Sequence, residues 1–257
     1  MDFAAPDLAP PTLGLPTALE RIERLLASGE RVILGLAGSP GAGKTTLSTA
    51  LVEHFGPDLA VAVPLDGYHL ANAVLERRGL RQRKGAPETF DGAGYVALLR
   101  RLRARDEDVV FAPEFRREIE EPVAGAIAVP REARLVITEG NYLLLQDGPW
   151  AGVLPLLDEA WFVEPDDGVR LERLIARHEA FGKSPDAARA WALGTDEANA
   201  RLIRAARGAG RRRRAAGVRG EVYAAPSRGR TMRWMGRSSS GCQGAEIVAM
   251  IRQPRRW

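Results

Sequence analysis

The chain has 257 residues, of which 45% are hydrophobic and 27% charged, with a formal net charge of +4. That length suits one α/β domain with its own core, and no apolar run reaches the roughly 18 residues of a membrane span. The single cysteine, Cys242, excludes an intramolecular disulfide and a cysteine-based zinc cluster.

The charge is unevenly divided. From Arg207 onward there are 13 Arg and 2 Glu, a balance of +11, which leaves −7 for residues 1–206. The acidic body and the basic tail are therefore read separately. The opening "MDFAAPDLAPPTLGLPTALE" has no basic segment leading into an apolar one, so it is not read as a secretory signal and a cytoplasmic location is expected. Residues 1–15 read as a flexible lead-in.

A helix is expected from Pro16 to Ala27, where Leu19, Ile22, Leu25 and Leu26 recur at helical spacing. "RVILGLAG", 31–38, reads as a strand running into a glycine-rich turn, and "KTTLSTALVEHF" as the helix after it. "VAVPL", 61–65, is a second strand, followed by a polar, Arg-rich loop over about 76–91 and a helix, "GYVALLRRLRAR". "RLVITEG", 134–140, and "EAWFVE", 159–164, are further buried strands, and helical patterns at 167–181 and 185–206 close the body. Strands alternating with helices predict a parallel sheet covered on both faces.

"GSPGAGKT", Gly38–Thr45, fits G-x-x-x-x-G-K-[ST] between a strand and a helix, the context a phosphate loop requires. Backbone amides of Gly38, Ser39, Pro40 (which contributes no N–H), Gly41, Ala42 and Gly43, continuing to Lys44, Thr45 and Thr46, would curl around phosphate oxygens at a helix N-terminus. Lys44 would reach the β- and γ-phosphates of ATP, and the Thr45 hydroxyl would hold Mg²⁺. No N-K-x-D guanine motif and no S-G-G-Q-like transporter signature is present, and the D-x-x-G at 91–94 is weak alone. These exclusions favour a kinase.

In a parallel sheet, ligands sit beyond the carboxyl ends of the strands. Asp66 ends the strand after the phosphate-loop helix, where a carboxylate can take the proton of an attacking hydroxyl; capping a turn with Gly67 is the alternative. Glu139, at the end of "RLVITEG", would hold Mg²⁺ through water, support Asp66, or face solvent. Arg173 and Arg177, four apart on one helix, can both point at one anion, or pair with Glu172 or Glu179. His69 reads as a substrate contact or a packed ring, His178 as structural, and Asn199 as a nucleotide contact or an exposed polar residue.

"GLAGSPGAGKTTLS", "PLDGYHL", "RKGAPETFD", "FAPEF", "VITEGNYLLL" and "RHEAFGKS…GTDEANARL" occur in this order. The set resembles the P-loop kinases of the phosphoribulokinase, uridine kinase and pantothenate kinase group, nearest to its nucleoside/nucleotide kinase-like branch, which includes proteins called fructose transport system kinases. The resemblance spans residues 16–206. It implies a three-layer α/β P-loop NTPase with a helical lid at about 167–206, Asp66 as base, and Arg173 and Arg177 as lid arginines. It also implies that the loop from Arg83 and Lys84 to Asp91 closes over the acceptor, with Tyr68, His69 and Phe115 near the substrate. Where uridine kinases show "PxYDFxxHxR", this chain has "APEFRREIEEP", with Glu120 or a neighbour replacing the nucleoside-binding His. The substrate is therefore not carried over.

The expected function is ATP- and Mg²⁺-dependent phosphorylation of a small-molecule hydroxyl; the alternative is a nucleotide-binding ATPase or regulator without an acceptor. A homodimer is left open. The tail, 207–257, reads as a disordered basic extension that touches polyanions or as a frameshifted ending. Its aperiodic apolar residues favour the latter, with "GVRGEVYA" a poor substitute for a last strand.

Overall fold

The computed structural model describes residues 12–215 and 245–251. In chain order the elements are β1 (Thr12–Leu13), α1 (Leu15–Leu26), β2 (Val32–Ala37), α2 (Lys44–Phe55), β3 (Ala60–Pro64), α3 (Asn72–Arg77) and α4 (Gly92–Ala104). There follow β4 (Val109–Arg116), β5 (Glu121–Pro130), β6 (Leu135–Gly140), β7 (Glu159–Pro165), α5 (Asp167–Ala180), α6 (Pro185–Trp191), α7 (Glu197–Ala215) and β8 (Ala245–Ile251). The main sheet has the order β1-β8-β7-β2-β6-β3. Four of its strands, β7, β2, β6 and the edge strand β3, are mutually parallel, as expected, while β8 lies antiparallel to β7.

Strand geometry sends successive side chains to opposite faces, and this alternation builds the layers. Val32, Leu34 and Leu36 of β2 pack with Leu135, Ile137, Trp161 and Val163 against Ala18 and Ile22 of α1 and Leu47 and Leu51 of α2. Ile33 and Ala37 turn the other way, with Val136 and Phe162, onto Tyr95, Leu98, Leu99 and Leu102 of α4 and Ile203 of α7. At the amino ends of the strands the buried Arg31 donates to the carbonyls of Ala133 (2.8 Å), Leu102 (3.0 Å) and Pro130 (2.7 Å). That end is tied shut. The carboxyl ends are open, and the phosphate-loop motif lies there.

One element was not foreseen and one expectation needs correction. The segment between α4 and β6 holds an antiparallel hairpin, β4–β5, with register from Val109↔Pro130 to Arg116↔Glu121. The region after residue 206 is not wholly outside the fold: α7 continues to Ala215, and β8 pairs with β7 from Glu159↔Ile251 to Pro165↔Ala245. β8 in turn pairs with β1, so Thr12 and Leu13, taken as lead-in, belong to the sheet. The physical reason is edge satisfaction, because an uncovered β7 would present a row of unpaired backbone groups. Residues 1–11, "GVRGEVYA" and Cys242 lie outside the described residues.

Ending the chain after residue 215 should therefore lower the thermal midpoint by several degrees, at about 2–4 °C per kcal/mol for a domain of this size. Differential scanning calorimetry checks this, and an unchanged midpoint would show that β8 contributes no stability.

Candidate active site

β2 feeds a loop at Gly38–Gly43 and the loop feeds α2. Gly41 and Gly43 have φ of +80° and +91°, a region costly for other residues, and a Cβ on Gly41 would stand 2.8 Å from the Arg170 carbonyl. The residue preceding α2 is Gly43, with no side chain to cap it, so the first amides of α2 are free to bind an anion. Lys44 is buried, and its Nζ donates to the carbonyls of Gly38 (2.9 Å) and Ser39 (3.1 Å) and to Oδ1 of Asn141 (2.8 Å). Burial pushes its ammonium down to about 8, against the opposing pull of Glu139 and Asp66.

The sheet register brings the acidic residues to this loop. Glu139 is aligned with Leu36 on one side and Pro64 on the other. Thr45 Oγ1 donates to Glu139 Oε1 at 2.6 Å, and burial holds the Glu139 carboxyl above its usual range. A hydroxyl and a carboxylate at a helix start are hard oxygen donors of the kind Mg²⁺ takes alongside phosphate oxygens.

Asp66 lies in a 3₁₀ turn, Leu65–Tyr68, at the end of β3. The β4–β5 hairpin closes on this turn: a Cβ on Gly67 would meet the Pro113 carbonyl at 2.2 Å, so no larger residue fits beside Asp66. The Asp66 carboxylate remains partly exposed, 3.6 Å from the Arg117 guanidinium. His69 Nδ1 lies 2.7 Å from the Asp66 carbonyl. A carbonyl only accepts, so Nδ1 carries the hydrogen and Nε2 is an acceptor. Burial lowers the His69 pKa and favours this neutral form. The ring packs between Phe90 (4.0 Å) and Phe115 (4.7 Å).

The lid is one helical hairpin. α6 and α7 are joined through a π-turn, Ala192–Asp196, and such turns often mark functional positions. Asp196 in this turn bonds His178 Nε2 at 2.7 Å, which ties the lid's two arms together. Arg177 is pushed down chiefly by burial, then by Arg117. Arg170, absent from the expected set, is fully buried; it donates to the Pro40 carbonyl (3.4 Å) and to Glu197 (2.5 Å), joining the phosphate loop to α7.

One cavity of about 280 Å³ gathers Pro40, Gly41, Lys44, Thr45, Asp66, His69, Lys84, Phe115, Glu139 and Arg177, together with Glu120, His178 and Asn199. Ser39 lines a neighbouring cavity of about 230 Å³ with Arg170 and Arg204. Ala42 is buried, and Thr46 is exposed in the first turn of α2. Besides Gly38, Ser39, Ala42, Gly43 and Thr46 of the phosphate-loop region, three expected catalytic or acceptor-side residues do not line the main cavity. Tyr68 packs edge-on against Tyr95 at 5.5 Å. Arg83 points outward and pairs with Glu88 at 2.6 Å. Arg173, one turn before Arg177 on α5, is not among the residues lining the cavity. The sequence places Arg117 beside Phe115 at the acceptor position, and it does line the cavity; Asn141, Arg81, Lys183, Phe181, Trp191 and Asp196, which also line it, were not singled out. Asn141 alone had a legible signal, since it follows the strand that carries Glu139.

No family model matches the chain. It is 34% identical over 182 residues to a Schizosaccharomyces pombe protein whose name proposes a uridine kinase, covering 68% of this chain and 77% of that one. It is 41% identical over 145 residues to the ATP-dependent kinase-like protein notR' of Aspergillus versicolor, covering 53% of this chain and 84% of that one. Among solved structures, a protein of Silicibacter sp. TM1040 named as a candidate fructose transport system kinase superposes with a TM-score of 0.69 at 38% identity, covering 75% of this chain and 95% of that one.

Proposed function

The chain belongs to the small-molecule P-loop kinases that include uridine and pantothenate kinases, phosphotransferases with an alcohol group as acceptor, and we propose that it moves the γ-phosphoryl of Mg-ATP onto a hydroxyl of a small polar metabolite. The observation that carries this reading is the meeting of Lys44, Thr45, Asp66 and Arg177 on one cavity wall.

Each residue has a role that follows from its position. The loop amides and Lys44 hold the β- and γ-phosphates. Arg177, on the lid arm, neutralises charge on the moving phosphoryl, and preorganised charge of this kind is the main source of rate in phosphoryl transfer. Asp66 accepts the acceptor's proton. His69 Nε2, a lone-pair acceptor, orients that hydroxyl or a neighbouring one. Thr45 and Glu139 would hold Mg²⁺, which when bound supplies positive charge on the phosphate oxygens. Arg170 positions the phosphate loop from behind. An ATP donor suits a cytoplasmic location, and among the described residues no helix is long and apolar enough to cross a membrane. Neither a homodimer nor polyanion binding by the tail finds support among the described residues.

ADP release by the purified full chain, measured with a panel of nucleosides, sugars, polyols and vitamins and their phosphates, tests the reading. Turnover should rise with one acceptor class. A constant ADP-release rate across the panel would leave the acceptor-free ATPase as the better description.

A further inference from the structure

The acceptor half of the cavity carries more positive charge than the nucleotide uses. The charged side chains on its wall are Lys44, Arg81, Lys84, Arg117, Arg177 and Lys183 against Asp66, Glu120, Glu139 and Asp196. In the reading above, Lys44 and Arg177 serve the nucleotide, Glu139 is engaged with Thr45 and Asp196 with His178. Arg81, Lys84, Arg117 and Lys183 then face only Asp66 and Glu120, which leaves a surplus of two positive charges.

Aromatic faces, more than carboxylates, hold three of these cations, Lys84, Arg117 and Lys183, in place. Lys84 Nζ lies 5.0 Å from the Phe115 ring centre, and the Arg117 guanidinium lies 6.0 Å from Phe115 and 5.8 Å from Phe181. Lys183 sits 4.7 Å over Trp191. A ring face orients a cation without cancelling its charge. Arg81 and Lys183 make no ion pair among the described residues, and the nearest carboxylate to Lys84 is that of Glu120, 4.0 Å away and half exposed. Lys84 is itself well buried and is held by Asn72 Oδ1 at 2.7 Å and by the Glu120 carbonyl. Glu120 turns that carbonyl inward with a φ of +54°, a conformation costly outside glycine. Burial first, then Arg81, lowers the Lys84 pKa. Strain, burial and like charge are accepted here together to present one ammonium.

We infer that this wall is an anion subsite and that the acceptor is a small phosphomonoester with a free hydroxyl. The inference rests on the kinase reading. A carboxylate would cancel half of the surplus, whereas a phosphomonoester, at about −1.5 to −2 near neutral pH, matches it. The acceptor's hydroxyl oxygen bonds to the γ-phosphorus, the bond from that phosphorus to the bridging oxygen of ADP breaks, and the hydroxyl proton passes to Asp66. The products are ADP and a bisphosphate.

The test starts with the full chain saturated with Mg²⁺ and AMP-PNP, titrated with inorganic phosphate by calorimetry. One further phosphate site is expected, weakened at least tenfold in Lys84→Met and in Lys183→Met; the second variant changes a residue of the cavity rim and guards against a folding defect in the first. ADP release is then compared for glycerol and glycerol 3-phosphate, ribose and ribose 5-phosphate, and uridine and uridine 5′-monophosphate. A phosphorylated member should stimulate turnover and its free partner should not. Absence of phosphate uptake, equal uptake by the variants, or turnover with a free partner alone would overturn the inference. That last result would leave the kinase reading standing, while failure to bind AMP-PNP would take down both.

Discussion

Asp66→Asn is expected to lower phosphoryl transfer by about 10²- to 10⁴-fold, the range for removal of a positioned general base, while nucleotide affinity changes little. Asn keeps the size of the side chain and its place in the 3₁₀ turn but has no lone pair basic enough for the acceptor's proton. The turn itself is held by the approach of Pro113 to Gly67 and by the His69 contact with the Asp66 carbonyl, neither of which involves the carboxylate. The substitution therefore tests chemistry separately from structure. It also removes the charge that faces Arg117 across 3.6 Å, so the acceptor KM should shift modestly as Arg117 is released. Single-turnover rates and calorimetric nucleotide binding separate the effects. A collapse of nucleotide affinity that accounts for the whole loss of rate would make Asp66 a metal or structural residue.

The sequence exposes some of this site and hides the rest for physical reasons. Phosphate-loop spacing is local, and β2, β3, β6 and β7 are short, largely apolar runs, so strand ends at Asp66 and Glu139 were legible. The hairpin β4–β5 was not, because half of β5 is exposed and its Ala124, Gly125 and Ala126 break any apolar alternation. Without the hairpin, the approach of Arg117 to Asp66 was not legible, although its place beside Phe115 was. β8 holds the apolar run "IVAMI" in a segment flanked by glycines and arginines, and pairs with a strand 80 or more positions earlier in the chain. Nothing local marks such a partner. Helical spacing and the family resemblance both pair Arg173 with Arg177, but only Arg177 lines the cavity. Arg170 illustrates the opposite error: a residue that spacing would leave on a charged helix surface is fully buried, because Glu197 and the Pro40 carbonyl meet it from other elements.

Lys44→Ala should abolish turnover and weaken ATP binding, since the buried ammonium is the one cation fixed within the phosphate loop. Its three acceptors, the Gly38 and Ser39 carbonyls and Asn141 Oδ1, hold the nitrogen at the loop's centre, so an incoming phosphate meets a charge that needs little reorganisation. Burial brings a second, independent signature. With its pKa lowered to about 8, the free enzyme's Lys44 is charged below that pH and neutral above it. Phosphate oxygens favour the ammonium, so nucleotide binding raises this pKa and draws a proton in. Uptake should be small at pH 7, about half a proton at pH 8, and near a full proton at pH 9, with apparent affinity falling as pH rises past 8. Calorimetry in buffers of different ionisation enthalpy measures this uptake, and Lys44→Ala should abolish it. Uptake that persists in the variant would assign the proton to another group, and unchanged turnover by the variant would end the kinase reading.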